Sequence, residues 1–187
     1  SPESMEKLFS GIWYAFSKGE TFAGMSPDWP WKKIDFKNEE QFWVLRQQGM
    51  NICRNFWYKN IHYFKEKDAI RPLVEKGFSD DRFGPKEKFW LYGVIDRIEF
   101  LKTNSGLAAY LIDYKSGFTD YTPAYLEKDF QFTIYQWLYT LSWKLGNEYA
   151  SVPLKGMAVY PLQYVNNHKP LLISDLKQVP LRSDSEL

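Results

Sequence analysis

The chain has 187 residues, 44% hydrophobic, 25% charged and 19% aromatic, with 24 Lys and Arg against 23 Asp and Glu. That length suits one domain with room for a helical appendage, and a net charge of +1 offers no polybasic face to hold nucleic acid by charge alone. The single cysteine, Cys53, excludes an internal disulfide, a four-cysteine zinc site and a cysteine-held iron–sulfur cluster, and no run approaches 18 apolar residues.

The start, Ser-Pro-Glu-Ser-Met, lacks the charged and apolar regions of a secretory signal, and a Ser start suggests processing or excision. A reducing, intracellular and cytoplasmic setting is the expectation. Residues 4–17 then place Met5, Leu8, Phe9, Ile12, Trp13 and Phe16 at three- and four-residue steps, one face of a helix. From Gly19 to Lys37, Gly24, Pro27 and Trp29-Pro30-Trp31 predict an irregular aromatic loop. A second helix should begin at Asn38, an N-cap followed by Glu39 and Glu40, and run through Phe42, Leu45, Ile52 and Phe56 towards Phe64. Gly49 within it suits a close packing contact.

After Pro72 the periodicity changes. Leu73 to Phe78 reads as a short strand. Phe89 to Leu101 and Leu107 to Lys115 alternate and are rich in aromatic and β-branched residues, and Thr103-Asn104-Ser105-Gly106 between them predicts a hairpin. One helix should run from about Tyr125 to Leu145 and stop at Gly146. Leu154 to Pro161 and Pro170 to Ser174 read as two more strands, and the polar end from Lys177 to Leu187 as a fraying tail. The order gives an α/β fold with a central mixed sheet flanked by helices.

The eight Trp, 13 Tyr and 14 Phe are an excess with two readings. They build a bulky core, or they present platforms on which bases or sugars stack. Amphipathic spacing favours the core.

Chemistry concentrates in Gly93-Val94-Ile95-Asp96-Arg97-Ile98-Glu99, in Leu111-Ile112-Asp113-Tyr114-Lys115-Ser116-Gly117, and in Gln131 and Tyr135. On a strand, Asp113 and Lys115 project to one side. Asp96, on the neighbouring strand, can add a second carboxylate. Two such oxygens with water and a phosphate oxygen make the partial shell that Mg²⁺ prefers, and Lys115 can hold a water or offset phosphate charge. Gln131 and Tyr135, four apart, share one helical face. Each piece taken singly also has a bland reading, as an ion pair or a solvated face. The combination and its order carry the weight.

Gly-Val-Ile-Asp-Arg-Ile, Ile-Asp-Tyr-Lys-Ser-Gly and Gln-x-x-x-Tyr resemble, in order and spacing, the successive motifs of RecB-type nucleases in the PD-(D/E)xK superfamily. The match covers about Leu73 to Leu145, and the remainder more loosely. It implies a restriction-endonuclease-like core and Mg²⁺- or Mn²⁺-dependent cleavage of DNA phosphodiesters. The resemblance further implies work in repair, recombination or foreign-DNA processing, with a helicase or another repair protein as a possible partner. Carried over by residue, Asp96 and Asp113 are metal ligands with the Tyr114 carbonyl. Lys115 is the catalytic lysine, and Gln131 and Tyr135 support the metal and DNA. Residues 1–187 form a single nuclease-like domain on this reading, with a helical part at 1–66, a catalytic α/β core at 71–176 and a flexible tail at 177–187.

Two departures stand out. Many relatives have Gly-x-x-x-His on an early helix, whose His binds metal; Gly49-Met50-Asn51-Ile52-Cys53 places Cys there. His62 and His168 do not replace it by spacing, and Glu75 is the candidate substitute ligand, with a solvated strand residue as the other reading. The cysteine set that holds a cluster in some relatives is missing, so no iron–sulfur centre is expected. Lys65, Lys67, Arg71, Lys86 and Lys88 are candidates for a local phosphate-binding patch. Two other functions compete: a catalytically silent nuclease fold that binds DNA or a protein, and an aromatic binding module using Trp29, Trp31 and Trp57. The second leaves the motif block unexplained.

Overall fold

The computed structural model describes residues 1–18, 35–61, 65, 70–83, 89–115, 121–142, 152–162, 175–183, 185 and 187. The described residues fall in two compact units, one within residues 1–65 and the other from residue 66 on. Residues 19–34 of the expected aromatic loop, the end of the second helix at Phe64, Gly146 and the expected strand at Pro170–Ser174 lie outside the described residues, as do His62 and His168.

The first unit is an antiparallel pair, α1 (Pro2–Lys18) and α2 (Glu39–Asn60). Asn38 caps α2 as its sequence requires, its side-chain oxygen accepting from the Gln41 amide at 2.8 Å. Gln41 reciprocates by accepting from the Lys37 amide at 2.7 Å. Gly49 has the packing role its position suggested, because the Phe9 ring fills the space where a Cβ would sit. Trp13 stacks on the Phe9 ring and packs in turn against Phe36 and Phe42, and the Arg46 guanidinium lies over the rings of Tyr14 and Trp43, 5.4 and 5.5 Å from their centroids. Much of the aromatic excess is therefore packing.

The second unit is a five-stranded mixed sheet in the order β1–β5: β1 (Leu73–Phe83), β2 (Phe89–Thr103), β3 (Gly106–Lys115), β4 (Leu154–Pro161) and β5 (Lys177–Val179). β1, β2 and β3 are antiparallel neighbours, β3 and β4 are parallel, and β5 returns antiparallel. The β2–β3 hairpin turns in two residues, Asn104 and Ser105, with Thr103 opposite Gly106. Gly106 has φ +115°, which excludes a side chain at little strain.

Between β3 and β4 the chain forms α3 (Pro123–Lys128) and α4 (Phe130–Ser142), where one continuous helix was expected. The break is at Asp129, which is extended. Its carboxylate accepts from the Gln131 amide at 2.9 Å and caps α4. The Leu126 and Asp129 carbonyls that the break exposes are taken by Arg182 Nη2, at 3.1 and 3.5 Å.

The polar end is also not the fraying tail expected. Lys177–Val179 pairs with Met157–Val159, since β4 would otherwise leave an open edge. Beyond it, Arg182 donates to Thr133 Oγ1, and its backbone exchanges two hydrogen bonds with Gln136 at 2.7 and 2.8 Å. Arg182→Ala should lower stability by about 2 kcal/mol, because hydrogen bonds from a charged donor to two carbonyls and a hydroxyl are lost. Urea unfolding at 25 °C measures this, and an unchanged midpoint would show the clasp to be idle.

α4 covers one face of the sheet with Phe132, Tyr135, Leu138 and Tyr139. Gly93 lets the helix close in, for an added Cβ would meet Leu138 at 2.8 Å. β1 and β2 change face together beneath it. Phe78 and Ile95 from one half, and Leu73, Ile98 and Phe100 from the other, all meet this core, which strict alternation forbids. The change falls at Glu75, whose φ of 49° is left-handed, and opposite it at Asp96. A left-handed non-glycine is held at roughly 1 kcal/mol or more of strain.

Candidate active site

The hydrogen-bonded ladder between β2 and β3 ends at Arg97 opposite Ile112. From there β2 continues beside β1 alone, while Asp113, Tyr114 and Lys115 continue beside β4 alone. The sheet forks. A backbone N–H at such a fork has lost its strand partner and needs another; the Tyr114 N–H donates to Asp96 Oδ2 at 2.8 Å. The first carboxylate thus lies between the strands, against the second strand's backbone.

Asp113 and Lys115 project to one side, as their spacing requires. Lys115 Nζ lies 2.7 Å from Asp113 Oδ2. Gln131 bridges the pair from α4: its Oε1 accepts from Lys115 Nζ at 2.8 Å, and its Nε2 donates to Asp113 Oδ1 at 3.0 Å and to the Tyr135 hydroxyl at 2.6 Å. Asp113, Lys115, Gln131 and Tyr135 therefore form one connected network, beside Asp96.

Asp113 is only 2% exposed. Burial pushes its carboxyl above the usual carboxylate range, with Asp96 and Asp129 adding to the rise and Lys115 opposing it. For Lys115, burial pulls the ammonium down, but the bond to and charge of Asp113 more than offset this and the group stays above its ordinary range. Burial pushes the Tyr135 phenol up to about 12, so it remains a neutral hydroxyl.

Asp96 and Asp129 thus add their negative charge to that of Asp113, against the one ammonium of Lys115, and Asp113 Oδ2 faces that ammonium with no further hydrogen bond among the described residues. Surplus negative charge on hard oxygens fits a divalent cation. Among the described residues, however, no three His, Cys, Asp or Glu side chains cluster as a metal cage. Glu75 is exposed on β1, across from Asp96. Cys53 is half-buried on α2, and burial and Glu6 push its thiol up, away from the thiolate that binds metal. Lys65 and Arg71 are exposed, whereas Lys67, Lys86 and Lys88 lie outside the described residues, as do Trp29 and Trp31. Trp57 is half-buried in α2.

Gln131→Ala should reduce activity by about 10- to 100-fold without unfolding the protein, as losses of groups that orient ligands do. Steady-state rates with circular dichroism as the control check this; an unchanged rate would show the bridge to be dispensable.

Sequence reasoning missed Asp129, which sets the first turn of α4 and so aims Gln131. An Asp just before Phe-Gln-Phe is an N-cap signal inside an otherwise helical run.

A forked sheet with Asp on one arm, Asp-x-Lys on the other and a helix-borne Gln across them defines a nuclease-type site. The model of the PD-(D/E)XK nuclease superfamily matches residues 25–178, and the chain belongs to that superfamily. No curated protein was found to match it. Among the described residues no helix is long and apolar enough to cross a membrane.

Proposed function

We propose that the protein is a Mg²⁺- or Mn²⁺-dependent deoxyribonuclease of the RecB type. The observation that carries this reading is the Lys115–Asp113 pair at 2.7 Å, bridged by Gln131 and set beside Asp96 at the fork. Asp96, Asp113 and the Tyr114 carbonyl would hold the cation, with water completing its shell. A cation bound there supplies charge to the scissile phosphoryl group and acidifies a water.

The chain's own residues do the rest. Lys115, an ammonium beside the carboxylates, donates to the attacking water or to a non-bridging phosphate oxygen. Gln131 fixes that ammonium through Oε1 and fixes Asp113 through Nε2. Tyr135 keeps the amide of Gln131 from rotating. Hydrolysis forms one P–O bond to water and breaks one to the leaving oxygen; the water loses a proton to solvent, and the leaving oxygen takes one from solvent. Near-zero net charge does not oppose DNA binding, because cation and lysine meet the phosphate locally. The RecB-like motif order supports a place in repair, recombination or foreign-DNA processing, inside the cell and beside a helicase or similar partner.

The test is incubation with linear, nicked circular and single-stranded DNA in Mg²⁺, Mn²⁺ or chelator. Cleavage that needs metal supports the reading. DNA binding in chelator with no cleavage under any condition supports a silent fold instead. Glu75→Gln should weaken Mn²⁺ affinity severalfold if Glu75 is the substitute ligand; titration calorimetry showing an unchanged affinity removes it from the metal site.

A further inference from the structure

We infer that the buried Arg97–Glu99 ion pair is a positioning device for the site, acting through Tyr114 from the opposite side of the sheet. Arg97 and Glu99 are 5% and 1% exposed and form an ion pair with each other. A buried charge pair is an expensive way to fill space, since apolar residues of similar volume are often as stable or more so. Its geometry shows what it holds. Arg97 Nη1 donates to the Tyr114 hydroxyl at 3.2 Å, and the adjacent Asp96 accepts from the Tyr114 N–H at 2.8 Å.

Two successive residues of β2 therefore grip one residue of β3, Asp96 by its backbone and Arg97 by the tip of its ring. Tyr114 is the residue between Asp113 and Lys115, beyond the last β2–β3 ladder pair. Among the described residues no β2–β3 ladder pair reaches this segment. The Tyr160 ring packs edge-on at 5.4 Å and keeps the phenol in place. Glu99 in turn fixes the guanidinium. The pair thus sets the spacing between the Asp96 arm and the Asp113–Lys115 arm, while touching neither metal nor substrate.

This rests on the metal-dependent reading above, and the test separates the two. Compare wild type, Tyr114→Phe and the double variant Arg97→Met with Glu99→Leu. Measure Mn²⁺ affinity by calorimetry, hydrogen exchange of the Tyr114 amide in metal-free protein, and the thermal midpoint. The double variant should fold with an equal or higher midpoint, exchange the Tyr114 amide about 10-fold faster, and bind Mn²⁺ about 10-fold more weakly. Tyr114→Phe, which loses only the gripped hydroxyl, should move both in the same direction by about 3-fold. Should the double variant fail to fold, Tyr114→Phe decides alone. Mn²⁺ affinity unchanged in the folded variants overturns the positioning role, and a wild type that binds no Mn²⁺ overturns the metal-dependent reading and this inference together.

Discussion

Lys115→Ala is expected to lower DNA cleavage by about 10³-fold while leaving Mn²⁺ affinity within a few-fold of wild type. On the proposed reading the lysine would contribute charge and a donor rather than a metal ligand, so its loss should separate binding from chemistry. Asp113 then loses its 2.7 Å partner but keeps the Gln131 amide on Oδ1, and a bound cation compensates the exposed charge. Single-turnover cleavage and calorimetry on the same preparation measure both quantities. Cleavage that survives would show the chemistry to reside elsewhere.

Asp113→Asn should have the opposite signature on binding: cleavage falls by about 10³-fold or more and Mn²⁺ affinity falls with it. Its effect on stability has a definite sign. Burial raises the folded-state pKa of Asp113, so the unfolded chain releases this proton more readily than the folded one. Ionisation therefore destabilises the fold as pH rises through the unfolded pKa, and the penalty is fully present once pH exceeds the folded pKa. The amide avoids that penalty and keeps the shape. The thermal midpoint at pH 8 should equal or exceed that of wild type, with the gain disappearing in acid. A fall of many degrees would mark Asp113 as structural rather than functional.

The two results together would show a site that trades stability for chemistry, a common pattern where charges are buried for use. The Gln131 bridge belongs to the same trade. It satisfies the lysine and the acid while no substrate is present, so neither is left bare in a half-buried cleft.

The β2–β3 hairpin was legible because alternation over Phe89–Leu101 and Leu107–Lys115, with a polar turn between, has few other solutions. Asp113 and Lys115 were legible for the same reason: period two fixes their common side. The position of Asp96 was legible only in part. A hairpin predicts a neighbour across the ladder, but the ladder stops first, and Asp96 lies in the gap as a backbone acceptor. The stop falls next to the change of face opposite Glu75, and no periodicity announces either.

The polar end was misjudged because composition was weighed without its partner. Lys177-Gln178-Val179 is a poor strand alone and a sound one beside Met157–Val159. The helix break at Asp129 was misjudged because helical spacing on both sides concealed a cap. Arg182 could not have been assigned to it from sequence, being more than fifty residues away from both carbonyls it takes.

The two-residue hairpin turn at Asn104 and Ser105 also has a kinetic meaning. β2 and β3 meet across the shortest loop in the sheet, and α3 and α4 come next in the chain, so the parts of the site from 96 to 135 assemble from near neighbours. Contacts that close small loops form early because little chain entropy is lost. The Arg182 clasp closes a far longer loop and should form late. The arrangement of acids and lysine should then form before the C-terminal segment docks, and that segment would act as the final lock on a site already drawn.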